Sequence, residues 1–104
     1  MKKIYGIYGA SGFGREVMPI LKQFLYRHKE CSYEVYFIDD SVNSEKIIHG
    51  VKVINFDTFK EIEVMEKVVS IAIADSSIRK KLTEKLYREE IEILLLEKLN
   101  TNQE

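Results

Sequence analysis

Apolar residues along this chain recur with two alternating periods. Lys2 to Tyr8 mixes β-branched and aromatic residues and stops at a glycine, which predicts a first buried strand. From Phe13 to Lys29 the period changes. Val17, Ile20, Leu21, Phe24 and Leu25 recur at spacings of three and four, one face of a helix, with Pro19 expected to bend its second turn slightly. Tyr33 to Asp40 reads as a second strand that closes on the pair Asp39-Asp40. A polar loop from Ser41 to Gly50 leads to a short strand, Val51 to Ile54. Asp57 is placed to cap a brief helix through Ile62. Val68 to Ala74 is nearly continuous apolar sequence, the mark of a strand covered on both faces. Asp75 or Ser76 caps a helix reaching Glu90, with Ile78, Leu82 and Leu86 on one stripe, and Ile91 to Leu96 forms a last strand.

The resulting order, β-α-β-β-α-β-α-β, predicts an α/β fold of Rossmann-like type. Its sheet is mostly parallel, with helices on both faces. At 104 residues the chain holds one domain with a modest core. Sixteen basic residues against 17 acidic ones give no broad field for a nucleic acid or a membrane surface. Cys31 is the single cysteine, so no disulfide forms within the chain, and a cytoplasmic location is expected. The basic start Met1-Lys2-Lys3 is followed by too short an apolar stretch for a signal peptide or a membrane span.

In open α/β sheets, ligands bind beyond the carboxyl ends of the strands. Three segments are expected to meet there. The first is the turn Gly9-Ala10-Ser11-Gly12-Phe13-Gly14, where backbone N–H groups converge at a helix N-terminus suited to a phosphate. Ser11 can donate its hydroxyl, and Arg15 can reach a second phosphate. The spacing is G-x-x-G-x-G, not the dinucleotide pattern G-x-G-x-x-G. Read from Gly12, that pattern puts Val17 at its third glycine. A tight strand–helix corner is the alternative role. The second segment is Asp39-Asp40, placed to meet a ribose or base or else to hold its own loop through Asx-type hydrogen bonds. Adjacent carboxylates alternate in direction, so at most one faces the crevice. The third is Ala74-Asp75-Ser76-Ser77. Arg79, Lys80 and Lys81 follow it and oppose the helix dipole, which an anion near Arg79 would offset.

Other residues read as structural. His28 ends the first helix, where a cation suits the dipole, and His49 lies in a polar loop. The two have no metal-ligand spacing, and no metal is expected. Cys31 lacks the neighbours that activate a thiol. Core packing is the default for Tyr5 and Tyr8, with a crevice wall as the other reading of one of them.

The segments Lys3-Ile4-Tyr5-Gly6-Ile7-Tyr8-Gly9-Ala10-Ser11-Gly12-Phe13-Gly14-Arg15-Glu16, Phe37-Ile38-Asp39-Asp40, Gly50-Val51-Lys52-Val53-Ile54, Ile71-Ala72-Ile73-Ala74 and Ile78-Arg79-Lys80-Lys81-Leu82 come in the order of one family. Together they resemble the N-terminal domain of the NeuD/PglD-like sugar acetyltransferases, bacterial enzymes of polysaccharide biosynthesis. The likeness covers the chain to about Glu90. It implies a Rossmann-like domain that holds the acceptor, a UDP-sugar, with Gly9 to Gly14 by the diphosphate, Asp39-Asp40 by the uridine, and the Ala74-Asp75 loop closing on the nucleotide. That strand usually ends Ala-Ile-Gly in the family, so Ala74 adds a methyl at a close approach. The resemblance further implies a following β-helix domain that trimerises, binds acetyl-CoA and carries the catalytic histidine. Neither His28 nor His49 matches that position. The stretch read here is therefore expected to bind a nucleotide sugar, to need no cofactor of its own, and not to transfer acetyl groups alone. An NAD-type binding module and a non-catalytic regulatory domain with a vestigial crevice are the other readings.

Overall fold

The computed structural model describes residues 2–30, 32–42, 44 and 46–96; Cys31 lies outside them. The elements are β1 (Lys3–Tyr8), α1 (Gly12–Arg27), β2 (Tyr33–Ile38), β3 (Lys46–Ile48), β4 (Val51–Ile54), α2 (Phe56–Glu61), β5 (Glu66–Ile71), α3 (Ser76–Arg88) and β6 (Glu92–Ile93). They build one six-stranded sheet in the order β3-β4-β2-β1-β5-β6, parallel throughout except for β3. The expected mostly parallel α/β sheet is present.

The two-residue period of β1 explains the layers. Tyr5 and Ile7 point to one face, where Val17, Met18, Leu21 and Leu25 of α1 cover them together with Phe37 and Val53. Ile4 and Tyr8 point to the other, against Phe56 and Phe59 of α2 and Leu86 of α3. A strand flanked by β2 and β5 and covered by helices on both faces leaves no polar side, so its run of buried residues is continuous. Each fully buried Leu, Ile or Phe contributes about 1.5–3 kcal/mol over its exposed state.

Four local readings change. The segment 41–50 is not all loop: Lys46–Ile48 adds an antiparallel edge strand to β4 through a tight turn at His49-Gly50. Its hydrophobic signal is short, since only Ile48 is buried. Asn55, not Asp57, caps α2, its side chain accepting from the Thr58 N–H at 2.8 Å, while Asp57 sits in the first turn. β5 begins at Glu66, two residues before its apolar run, because Glu66 and Lys67 pair with Lys3 and Ile4. It ends at Ile71, so Ile73 and Ala74 lie beyond the strand. The last apolar run gives a strand of two residues only; the Leu94 N–H still donates to the Val69 carbonyl at 2.8 Å, and Leu94 and Leu96 pack on the α1-side core. The first helix runs from Gly12, through Pro19, to Arg27.

The glycines of the first turn are unequal. A Cβ on Gly14 would lie 1.8 Å from the Gly9 carbonyl oxygen, and Gly9 itself has φ +120° and faces the Ala72 carbonyl. Nothing lies within 4 Å of a Cβ on Gly12. Gly14→Ala is expected to cost about 2–4 kcal/mol by forcing backbone from backbone, whereas Gly12→Ala changes stability by about 0.5 kcal/mol or less, as urea denaturation would read.

Candidate functional site

The chain leaves β1 for β2 on one side and returns to β5 on the other, so the strand order reverses at β1. The crevice at the carboxyl ends of β1 and β5 is the topological switch point of the sheet. The turn from Gly9 to Gly14 lies there, fastened by Gly9 N–H to the Ile38 carbonyl (2.8 Å) and by Ala72 N–H to the Tyr8 carbonyl (2.9 Å). Gly9 and Gly14 are therefore structural, serving the tight corner. Gly12 is different, because its missing side chain leaves open space above the helix end.

That helix end is uncapped. Ser11 occupies the N-cap position but makes no side-chain cap, and the first turn of α1 carries no acidic residue. The first N–H groups of a helix have no intrahelical acceptor, and the peptide dipoles add a partial positive charge there. Ser11, Gly12 and Phe13 are exposed and Ala10 is buried beneath them. Arg15 turns its Nε–H back to the Ala10 carbonyl at 3.3 Å and keeps its charge beside the turn. The other two helices differ, with Asn55 capping α2 and Asp75 capping α3.

The acidic pair divides its work. Asp39 accepts the N–H and hydroxyl of Ser41 on Oδ1, at 2.9 and 2.7 Å, closing an Asx turn on its own loop. Asp40 turns the other way. Its Oδ1 accepts the Phe56 N–H at the start of α2 (2.9 Å), and its Oδ2 accepts the Tyr8 hydroxyl and lies 3.4 Å from Lys85 Nζ. Lys85 also donates to the Tyr8 hydroxyl (2.9 Å) and sits 4.4 Å above the Phe56 ring, which stacks on Tyr8. Four elements meet in this brace. Burial raises the Tyr8 phenol pKa far above its ordinary value, and the bond to Asp40 raises it further. Burial also opposes ionisation of Asp40, but the bonds from Tyr8 and Phe56 and the nearby ammonium outweigh it and hold the carboxyl below the usual range.

At the third segment, Asp75 is the cap. Its Oδ1 accepts from Ser77 and Ile78 N–H, which, with the Ser77 hydroxyl, lower its pKa. Arg79 is not free beside the crevice: Nη1 donates to the Ile73 and Ala74 carbonyls at 3.1 and 3.2 Å, clasping the segment between β5 and α3. The cap and the clasp account for a cation in the first turn without a bound anion. Ala74 is exposed, as are Lys80 and Lys81. His28 bonds and stacks on Phe24 at the α1 C-terminus, and His49 is exposed in the β3–β4 turn. Among the described residues no group of three or more metal-binding side chains forms, and no helix is long and apolar enough to cross a membrane.

Sequence reasoning missed Lys85 and the polar role of Tyr8. A signal for Lys85 existed, since it stands seven residues after Ile78 on the stripe that carries Leu82 and Leu86. Tyr8 looked like core because its ring is core; only its hydroxyl reaches the carboxylate.

A family model described as the PglD N-terminal domain matches residues 5–86, from β1 into the last turns of α3. The chain belongs to this family. Its matched part contains all three segments and the whole Tyr8–Asp40–Lys85 brace. GDP-perosamine N-acetyltransferase of Escherichia coli O157:H7 is 30% identical over 98 residues, 94% of this chain and 44% of that protein. The structure of WeeI from Acinetobacter baumannii AYE superposes with a TM-score of 0.82 at 36% identity, covering 91% of this chain and 43% of that one. This PglD N-terminal domain thus spans less than half the length of the relatives it matches.

The brace has a defined pH dependence. Because the Asp40 pKa is lowered on folding, its contribution is present above the ordinary carboxylate pKa and fades as pH falls through the folded value. Asp40→Asn should therefore destabilise the domain by about 1 kcal/mol at pH 7, the carboxylate being half-exposed, and by less near pH 3. Denaturant melts at the two pH values check the difference.

Proposed function

We propose that this domain holds a nucleoside-diphosphate sugar at the switch-point crevice, as the acceptor-binding part of a longer sugar acetyltransferase. The observation that carries the reading is the α1 N-terminus: uncapped, without a side chain at Gly12, and at the place where open α/β sheets take ligands. The N–H groups of Gly12, Phe13 and Gly14 donate to the diphosphate, with the Ser11 hydroxyl and Arg15 beside them. Asp39, whose Oδ2 is not used by its own turn, addresses the ribose or base. Asp40 is a positioning residue, holding the loop after β2 through Tyr8, Lys85 and α2. Asp75 and Arg79 shape the loop that borders the sugar.

The name of the Escherichia coli relative supports an acetyl acceptor that is a nucleotide-linked amino sugar. A UDP-sugar is the first candidate here, and a GDP-sugar the comparison. The domain binds and orients; acetyl-CoA, trimerisation and the transfer step are assigned to sequence outside this stretch. The crevice groups suit that division. A general base works best with a pKa near the operating pH, whereas Tyr8 is shifted up and Asp40 and Asp75 down.

Calorimetry with UDP, UDP-GlcNAc and a GDP-sugar tests the reading. At least one is expected to bind. Gly12→Asp should weaken that binding about tenfold or more by setting a carboxylate against the phosphates, and should preserve or slightly raise stability, since an acid suits a helix N-terminus. Absence of heat with every ligand at millimolar concentration, for folded protein, would overturn it.

A further inference from the structure

The flank of α1 carries a second feature, which shares only Arg15 with the helix end. Arg15, Met18, Pro19 and Lys22 stand at i, i+3, i+4 and i+7, one stripe of the helix, with a cation at each end and apolar groups between. This stripe faces the β3–β4 hairpin across a cleft of about 360 Å³ whose other wall is Phe37, Val51 and His49. The volume is within the range of small-molecule sites. Met18, Phe37 and Val51 are buried and make an apolar floor, while Arg15, Lys22 and His49 are exposed at the rim. Among the described residues no acidic side chain lines it. In a chain with net charge −1, three basic groups round one apolar cleft are a local excess.

The turn adds a further observation. His49 and Gly50 both have positive φ, 51° and 78°, as a two-residue hairpin turn of this kind requires. Glycine or asparagine takes the first position with less strain than histidine does. Histidine is also among the side chains that tolerate this conformation, and here its imidazole stands on the cleft rim with Lys22.

We infer that the cleft between α1 and the β3–β4 turn binds a small organic anion, with its apolar body on Met18, Phe37 and Val51 and its phosphate or carboxylate held by Lys22 and His49. The inference goes beyond the nucleotide-sugar reading: it concerns the helix flank, and neither Lys22 nor His49 belongs to the crevice.

Titration of the isotope-labelled 104-residue chain by amide NMR tests it, with phenyl phosphate and benzoate as the two anionic probes. Benzyl alcohol and inorganic phosphate are controls for the body and the charge alone. Either anion should give saturable shifts at Met18, His49 and Val51, with both controls about tenfold weaker or more. The anion that saturates at lower concentration identifies the head group. Lys22→Glu, on the exposed helix surface, should lower anion affinity about tenfold, and His49→Gly about threefold while relieving the turn. Three results would overturn the proposal: no saturable shift with either anion, benzyl alcohol binding as well as the anions, or shifts confined to the Gly9–Gly14 turn. The wild-type titrations decide without the variants, and they do not depend on whether UDP binds.

Discussion

The contact of Gly14 with the Gly9 carbonyl is the constraint on which the rest hangs. It brings the first turn of α1 against the end of β1 at a distance no side chain permits. Packing of Val17, Leu21 and Leu25 on Tyr5, Ile7 and Phe37 then follows along the helix. The same approach sets the helix N-terminus at the switch point, so one steric fact serves both the core and the candidate site.

Around that point the structure treats polar groups in two ways. At α2 and α3 the free N–H groups are taken by Asn55 and Asp75, each cap contributing about 1 kcal/mol. At α1 that gain is forgone and the space above Gly12 is empty of side chains. A helix end without a side-chain cap, beside open room, is what a ligand phosphate needs, whereas a purely structural corner is better served by a cap.

The Tyr8–Asp40–Lys85 brace works at longer range. Residues 8, 40 and 85 are far apart in sequence, yet they tie β1, the loop after β2 and α3 together, with Asp40 also meeting the first N–H of α2. Asp40 is half-exposed, so its electrostatic contribution is modest. Its larger effect is geometric. With both oxygens of Asp40 engaged, Asp39 is left to close the Asx turn with Ser41.

Much was legible from local pattern. The α/β class, the helices, β1, β2 and β4, and the three converging segments follow from periods of two and 3.6, glycine placement and the positions of Asp39-Asp40 and Asp75. These signals are local because each side chain's face is set by its own strand or helix. Local pattern therefore specifies which segments form elements and which residue types gather at one sheet edge. Tertiary structure alone decided their roles. It separated structural Gly9 and Gly14 from open Gly12, turned Arg79 onto carbonyls, joined Tyr8 to Lys85, and made an edge strand of Lys46–Ile48. In each case the deciding partner lies in another element, and a distance between elements is set by packing rather than by any spacing along the chain.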